Sequence, residues 1–252
     1  MNAAITLVSA SGALTSLLLR RKFSSKKQNK IVLHLYDHCP FCIRVELVLG
    51  WKKIPYERKL YGYGDVEGPT KIIGKKMLPV LEYHDEMGAK KYMGESLDII
   101  SFLTKDDEHK YKDFSGRKDL KAWKANSYKP LERILLRPRF LDIGIYDFET
   151  EADKEYAMNK YRKQGFNYEE ARSKSAESIV KMEAVLQEFE SLLKGRNTIN
   201  GGSDYDFDDI NYVPMLRNLT AVKGLKWPAK VRAYLDGATE RAEVAQYTMR
   251  AI

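Results

Sequence analysis

Cysteine is scarce in this chain, because only two of its 252 residues are cysteines. So low a count excludes a small secreted scaffold held together by several disulfides. Histidine is scarce as well, and apart from one beside the cysteines the histidines stand singly, at His34, His84 and His109. A structural zinc site needs a second pair of cysteine or histidine ligands at suitable spacing, and the sequence offers none. We therefore expect no metal site.

Acidic residues are absent from the first 30 positions, whereas six basic residues lie between Arg20 and Lys30. These six account for most of the net charge of +8 and leave only +2 for the rest of the chain. No basic stripe with interleaved aromatic side chains stands out elsewhere in the sequence, so a nucleic-acid partner is not expected.

Residues 1–30 have the pattern of a leader outside the fold. Residues 1–19 are uncharged, and the basic cluster follows them, which is the reverse of a secretory signal peptide. Serine and threonine make the segment only marginally apolar for a membrane anchor. The missing acids and Arg21–Ser24 favour a mitochondrial-type targeting leader, with an anchor or a misassigned start codon as alternatives. We expect a cytoplasmic or organellar protein whose only membrane contact, if any, is through this segment.

Both cysteines lie in one short motif, His38-Cys39-Pro40-Phe41-Cys42. The apolar residues 31–36 before it predict a buried strand, and residues 43–49 after it predict a helix. Pro40 suits the first turn of that helix, because the amide that proline lacks would have no partner there. The Cys39 sulfur would then lie at the positive end of the helix, where cysteine pKa values fall from ~8.5 to roughly 3.5–7.5. Cys39 is therefore the expected nucleophile.

Cys42 lies one turn further into the predicted helix, so we expect it to be buried and to stay protonated until it is needed. The spacing allows the two sulfurs to close a small disulfide, which would constrain the unfolded chain too little to be purely structural. The pair therefore predicts a redox site. The roles of two residues near the cysteines, His38 and Arg44, stay open. His38 either tunes the thiolate or faces solvent, and Arg44 either polarises the site or is a solvated helix position, which is favoured.

Strand and helix patterns alternate in the first half of the chain, as far as about residue 105. The predicted strands are residues 31–36, 55–61, 77–83 and 90–93. A short helix is predicted near residues 70–73, and a further helix begins at Glu95-Ser96 with Leu97, Ile100 and Leu103 at apolar positions. Pro79 cannot donate to a ladder, so it marks the beginning or the edge of its strand.

A cysteine pair after the first strand, Leu78-Pro79 opening a later strand and Glu95-Ser96 at a helix start together resemble a glutaredoxin. The resemblance implies a thioredoxin-like fold in which a cis peptide bond joins Leu78 to Pro79. It implies that the Leu78 backbone pairs with the cysteine of glutathione and that Glu95 and Ser96 hold its γ-glutamyl end. A carboxylate can take the ammonium there, and a hydroxyl with free helix amides can take the carboxylate. Taken alone, Glu95-Ser96 is more often only a helix cap.

Helical patterns dominate the second half of the chain. Helices are predicted at residues 120–134 and 168–194, and Asp206–Asp209 has the pattern of a capping box at the start of another. Several further segments are similar to the bacterial glutaredoxin 2 family, namely Tyr36–His38, Leu135–Phe140, Leu216–Thr220, Trp227-Pro228 and Met249–Ile252. The resemblance implies an α/β thioredoxin-like domain at residues 31–105, a linker at 106–117 and an all-α, glutathione-transferase-like domain at 118–252.

The function that this resemblance implies is glutathione-dependent thiol–disulfide exchange, by which the protein would reduce glutathione mixed disulfides and protein disulfides. Glutathione would be a co-substrate, no cofactor would be tightly bound, and the partners would be glutathionylated or disulfide-bonded proteins. A monomer is expected. The alternatives are a glutathione transferase or dehydroascorbate reductase, against which Cys42 argues because one cysteine would suffice, and a membrane-anchored redox-like structural protein.

Overall fold

The computed structural model describes residues 31–105, 111–112 and 116–252. The predicted leader and most of the predicted linker lie outside these described residues. Within them, no helix is both long enough and apolar enough to span a membrane. The same residues contain no group of three or more histidine, cysteine, aspartate or glutamate side chains that could hold a metal ion.

Four strands form one mixed sheet in the order β2-β1-β3-β4. They are β1 Val32–Leu35, β2 Glu57–Leu60, β3 Val80–His84 and β4 Lys90–Met93, and each overlaps a strand predicted from the sequence. The central strand β1 pairs in parallel with β2 and antiparallel with β3, and β3 pairs antiparallel with β4. Pro79 directly precedes β3, in agreement with the expectation that it marks the beginning of its strand.

Helices supply the remaining regular structure of the described residues. Three accompany the sheet: α1 Pro40–Trp51, α2 Glu67–Ile73 and α3 Ser96–Leu103. Those of the second half are α4 Lys118–Ala122, α5 Lys129–Asp142, α6 Glu151–Arg162, α7 Tyr168–Ser173, α8 Ser175–Leu192, α9 Phe207–Leu219 and α10 Ala229–Ala242. A π-helical turn at Trp123–Tyr128 joins α4 to α5, and 3-10 turns lie at Tyr146–Phe148 and Thr248–Arg250. The expected fold class, an α/β thioredoxin-like part followed by a helical part, is confirmed.

From residue 42 to residue 49, helix α1 is buried on every side, because it packs against α3 on one side and against α9 and α10 of the helical part on the other. The Trp51 indole donates a hydrogen bond of 2.9 Å to the Ala238 carbonyl and stacks on Tyr205 with ring centroids 4.1 Å apart. A Cβ atom at Gly50 would lie only 2.0 Å from the Ala242 carbonyl oxygen, so this position requires glycine. The helix that begins at the cysteine motif is therefore also the main interface between the two halves.

Three helix predictions need correction. In α3 the residue that packs inward beside Ile100 is Ile99, whereas Leu97 is 41% exposed. The helix predicted at 120–134 continues as α5 to Asp142 and contains Pro138, since the buried apolar residues around that proline favour continuation. The helix predicted at 168–194 is interrupted between α7 and α8 and ends at Leu192.

The capping box predicted at the start of α9 is confirmed. The Asp206 carboxylate accepts hydrogen bonds from the backbone amides of Asp208 and Asp209, and the Asp209 carboxylate accepts one of 2.8 Å from the Asp206 amide. Asp209 also accepts a hydrogen bond of 2.6 Å from the Tyr234 hydroxyl on α10. The same residue therefore caps α9 and joins it to the next helix.

Candidate active site

Cys39 is the N-cap residue of α1, and Pro40 occupies the first helical position, as the sequence predicts. The Cys39 amide donates to the Tyr36 carbonyl at 3.3 Å, which fixes the turn between β1 and the helix. Cys39 is partly exposed and Cys42 is buried, and both are free thiols in this structure. The Tyr36 amide points at the Cys42 sulfur, 3.4 Å away. The nucleophile candidate is thus accessible, and its partner lies one turn inside.

The surroundings shift the pKa values of the two thiols in opposite directions. A hydrogen bond with Cys42 is the largest effect that lowers the pKa of Cys39, to about 6. Burial opposes this shift. The positive charge of His38 and the backbone amides of Phe41 and Cys42 reinforce it. Burial raises the pKa of Cys42 well above the usual range, and the interaction with Cys39 raises it further. At neutral pH the thiolate is therefore on Cys39 rather than on Cys42.

The His38 ring does not face solvent, because only 12% of the side chain is exposed. Its Nδ1 atom lies 2.6 Å from a carboxylate oxygen of Asp147, and the ring centroid lies 4.9 Å from that of Phe148 and 5.1 Å from that of Tyr63. Burial works against the protonated ring, but the hydrogen bond and the charge of Asp147 outweigh it and raise the pKa of His38. The arrangement favours an imidazolium directly before Cys39.

The segment before Cys39 is held by side chains of the helical part. Asp147 accepts hydrogen bonds from the backbone amides of Asp37, at 2.9 Å, and His38, at 2.8 Å. The Asn218 amide on α9 donates to the His38 carbonyl at 2.9 Å. The backbone of Asp37 and His38 is therefore anchored on residues more than 100 positions away. No pattern in the sequence indicates a role for Asp147, whereas Asn218 lies within a segment that resembles the family.

Arg217 is a second anchor, and it is almost completely buried. Its guanidinium donates to the Asp37 carbonyl at 2.9 Å and lies 3.1 Å from the Asp37 carboxylate. The Tyr247 hydroxyl donates to the same carbonyl at 2.9 Å, and Arg58 of β2 pairs with the carboxylate at 2.6 Å. Burial works against the charged Asp37, but Arg217 and Arg58 outweigh it and hold the pKa of Asp37 below its usual range.

The peptide bond between Leu78 and Pro79 is cis, as the resemblance implies. The Leu78 side chain is buried. Its backbone makes no hydrogen bond to any other described residue. An extended segment could therefore pair with Leu78 in the manner of an added strand.

Glu95 and Ser96 lie at the start of α3. Glu95 is the N-cap residue of the helix and has a φ angle of 62°, but its side chain makes no capping hydrogen bond. The Glu95 carboxylate is 62% exposed and lies 3.5 Å from the Lys75 ammonium. Ser96 is buried, and its hydroxyl accepts a hydrogen bond of 3.4 Å from Arg44. An exposed carboxylate therefore lies directly at the N-terminus of α3.

Arg44 is buried, so the prediction that it occupies a solvated helix position is wrong. The sequence pattern of α1 alone could not show that the helical part covers this face. The guanidinium connects the two halves of the protein. It donates a hydrogen bond to Ser96 at the start of α3 and another, of 2.6 Å, to the Asn211 side chain on α9. It also lies 5.0 Å from the Phe41 ring, which is exposed beside the cysteines. Burial lowers the pKa of Arg44 to about 10, and the charge of Cys39 opposes the shift.

Comparison with known proteins assigns this chain to a family. The family model "Glutaredoxin 2, C terminal domain" matches residues 119–251, and "Glutathione S-transferase, N-terminal domain" matches residues 33–110. Glutaredoxin 2 of Escherichia coli K12 is 31% identical over 222 residues, which span 87% of this chain and 99% of that protein. The chain belongs to the glutaredoxin 2 family.

Solved structures agree with this assignment. The crystal structure of glutaredoxin 2 from Salmonella typhimurium in complex with glutathione has a TM-score of 0.76 and 31% identity, over 89% of this chain and 100% of that one. A glutathione transferase from Phanerochaete chrysosporium, at 17% identity and a TM-score of 0.59 over 86% of this chain and 97% of its own, shares the fold. This glutaredoxin 2 family member thus has the two-part architecture expected from its sequence.

Proposed function

We propose that this protein is a glutathione-dependent thiol–disulfide oxidoreductase with Cys39 as its nucleophile. The observation that carries the proposal is the opposite placement of the two thiols. Cys39 is partly exposed at the start of α1 with a lowered pKa, and Cys42 is buried with a raised one. A thiolate that is stable at neutral pH and accessible is what attack on a disulfide requires.

For a glutathione mixed disulfide, the Cys39 thiolate attacks the glutathione sulfur. A bond forms between Cys39 and glutathione, the bond to the substrate sulfur breaks, and the substrate leaves as a thiolate that takes a proton from water. The thiolate of a second glutathione then attacks the same glutathionyl sulfur. Oxidised glutathione leaves, and Cys39 returns as a thiolate. The net reaction consumes one glutathione thiol, because the glutathionyl group of the substrate and the incoming glutathione leave together as oxidised glutathione, and the substrate is released as a thiol.

For a protein disulfide, Cys39 forms a mixed disulfide with one substrate sulfur, and the other leaves as a thiol. Cys42 then loses its proton and attacks the Cys39 sulfur, which releases the second substrate thiol and closes an internal disulfide. Two glutathione molecules reduce that disulfide and leave as oxidised glutathione. The buried position of Cys42 suits this resolving role, because it is protected until Cys39 has reacted.

The glutathione groove that we propose consists of Leu78, Pro79, Glu95 and Ser96. The unpaired backbone at Leu78, the exposed Glu95 carboxylate and the start of α3 support it. The match to a family member whose crystal structure contains glutathione supports it as well. His38, Pro40, Phe41 and Arg44 surround the nucleophile as supporting residues. The organisation that goes with this function is a thioredoxin-like domain at 31–105 and a helical domain at 118–252.

Trapping the first covalent intermediate tests this proposal. The reduced Cys42→Ser variant, mixed with a glutathione mixed disulfide, should gain the mass of one glutathionyl group. Peptide mapping should place that group on Cys39, and added glutathione should remove it. A variant that gains no adduct, or gains it on a residue other than Cys39, would contradict the assignment.

A further inference from the structure

Three cationic side chains next to the proposed active site have no acidic partner. Lys76, Arg137 and Lys160 make no ion pair with any carboxylate in the part of the chain that the structure describes. We call these three residues the cation row. The neighbouring carboxylate of Asp153 is already occupied by hydrogen bonds from the Gly64 amide and the Thr150 hydroxyl.

Each member of the cation row lies on a tyrosine ring. The Lys76 ammonium lies 3.6 Å from the centroid of Tyr156, and the Arg137 guanidinium carbon lies 3.9 Å from that of Tyr161. The Lys160 ammonium lies 4.9 Å from the Tyr63 ring and donates a hydrogen bond of 2.8 Å to its hydroxyl. Stacking on aromatic faces fixes where these charges stand without neutralising them.

The cation row begins beside the nucleophile. Tyr63, which bears Lys160, packs edge-on against the ring of His38, the residue before Cys39. Tyr161, which bears Arg137, is stacked on Tyr63 with centroids 6.4 Å apart and hydroxyls 3.0 Å apart. The charges of Lys160 and Arg137 thus extend outward from the cysteines over two adjacent rings. Lys160 is exposed, and Arg137 is half-buried with no hydrogen bond to another described residue.

Three like charges held together repel one another unless an anion lies between them, so this surface favours an anionic ligand. The Arg137 guanidinium offers the planar donor pair that matches a carboxylate. A single glutathione has two carboxylates and one ammonium, and its single net negative charge cannot neutralise three cations. A polypeptide segment with several aspartate or glutamate residues can do so, and it can also follow a surface that crosses two rings.

We infer that the cation row is the docking surface for an acidic segment next to the disulfide-bonded or glutathionylated cysteine of a protein substrate. The inference rests on the proposed function, and it narrows the class of protein on which the enzyme acts. Contacts of this kind steer association and select partners more than they add affinity. The row should therefore act on the preference between protein substrates.

Glutathionylated peptides of equal length test this inference. One peptide carries glutamates around the modified cysteine, a second carries glutamines and a third carries lysines, and kcat/KM is measured for each. The wild-type protein should prefer the glutamate peptide over the lysine peptide by about tenfold. Each change, Arg137→Gln or Lys160→Gln, should reduce that ratio by about two- to fivefold, the range found for exposed charge pairs. Lys160→Glu should reduce it further, and salt should weaken the preference.

Arg241→Gln is the matched control, because Arg241 also stacks on a tyrosine, Tyr205 at 5.2 Å, but is paired with Asp204. This variant should keep the wild-type ratio. Equal rates on all three peptides, or a ratio that the variants do not change, would overturn the inference and leave the proposed function intact. A raised KM for glutathione with an unchanged ratio would overturn it too, since the row would then bind glutathione. Inactivity of the wild type on every peptide would instead contradict the proposed function.

Discussion

The Asp147 carboxylate lies 2.6 Å from Nδ1 of His38, although 109 positions separate the two residues in the chain. Asp147 is fully buried, and its carboxylate also accepts hydrogen bonds from the backbone amides of Asp37 and His38. The helical part of the protein therefore positions His38, the residue that precedes Cys39, and through the His38 charge it favours the Cys39 thiolate.

Replacing Asp147 with asparagine should raise the pKa of Cys39. The change removes the charge that keeps His38 protonated, so the ring becomes neutral at a lower pH and no longer stabilises the thiolate. The rate of Cys39 alkylation against pH, which we expect to have its midpoint near pH 6 in the wild type, should move upward by about one pH unit, or about 1.4 kcal/mol. Glu149→Gln, which removes an exposed carboxylate two positions away, is the control. An unchanged alkylation profile in Asp147→Asn would show that Asp147 has only a structural role.

Replacing Arg217 with leucine should destabilise the fold strongly. Arg217 is buried and faces the largely buried Asp37 carboxylate, so its removal leaves that carboxylate with Arg58 as its remaining cationic partner. Breaking a buried pair in this way costs about 3–5 kcal/mol. The free energy of unfolding in urea measures the loss. Arg172→Leu, which removes an exposed pair with Asp142, should cost about 1 kcal/mol or less and serves as the control.

The same pair predicts a dependence of stability on pH. The folded-state pKa of Asp37 lies below its usual value, so its contribution is complete above the unfolded pKa of about 3.9 and is lost as pH falls through the folded pKa. The wild type should lose more stability than Arg217→Leu when the pH is lowered through this acidic range. Equal losses in the two proteins would mean that Arg217 does not set the pKa of Asp37.

Replacing Glu95 with alanine should raise KM for glutathione more than it lowers kcat, because in the groove that we propose its exposed carboxylate would hold the γ-glutamyl ammonium and contribute to ground-state binding. We expect a rise in KM of about two- to fivefold, the range for one exposed charge contact. Steady-state kinetics with glutathione as the varied substrate measures it. Glu86→Ala, in the turn between β3 and β4, is the matched surface control. Equal KM values for glutathione in the two variants would show that Glu95 does not contribute to glutathione binding.

Features that depend on neighbours in the sequence could be predicted from it. Pro40 and the apolar residues around it placed the start of α1 at the cysteine motif, and Asp206 with Asp209 placed the start of α9. The cis bond before Pro79, which the family resemblance implies, is present. In each case the residues that determine the geometry lie within a few positions of one another.

Features that depend on contacts between the two halves could not be predicted. Arg44 has the sequence pattern of a solvated helix position, and it is buried because α9 covers that face and Asn211 accepts its hydrogen bond. Asp147 lies in a stretch whose pattern indicated no site, and its role comes only from its approach to His38. Leu97 is exposed because packing selects Ile99 from the same apolar run.

The most direct test of the central claim is the activity of the wild type, Cys39→Ser and Cys42→Ser on two substrates, a small glutathione mixed disulfide and a protein disulfide. Cys39→Ser should be inactive on both, because the remaining thiol, Cys42, is buried and its raised pKa keeps it protonated. Cys42→Ser should retain substantial activity on the mixed disulfide, where glutathione resolves the adduct, and should fail on the protein disulfide. Full activity of Cys39→Ser, or complete inactivity of Cys42→Ser on the mixed disulfide, would contradict the account.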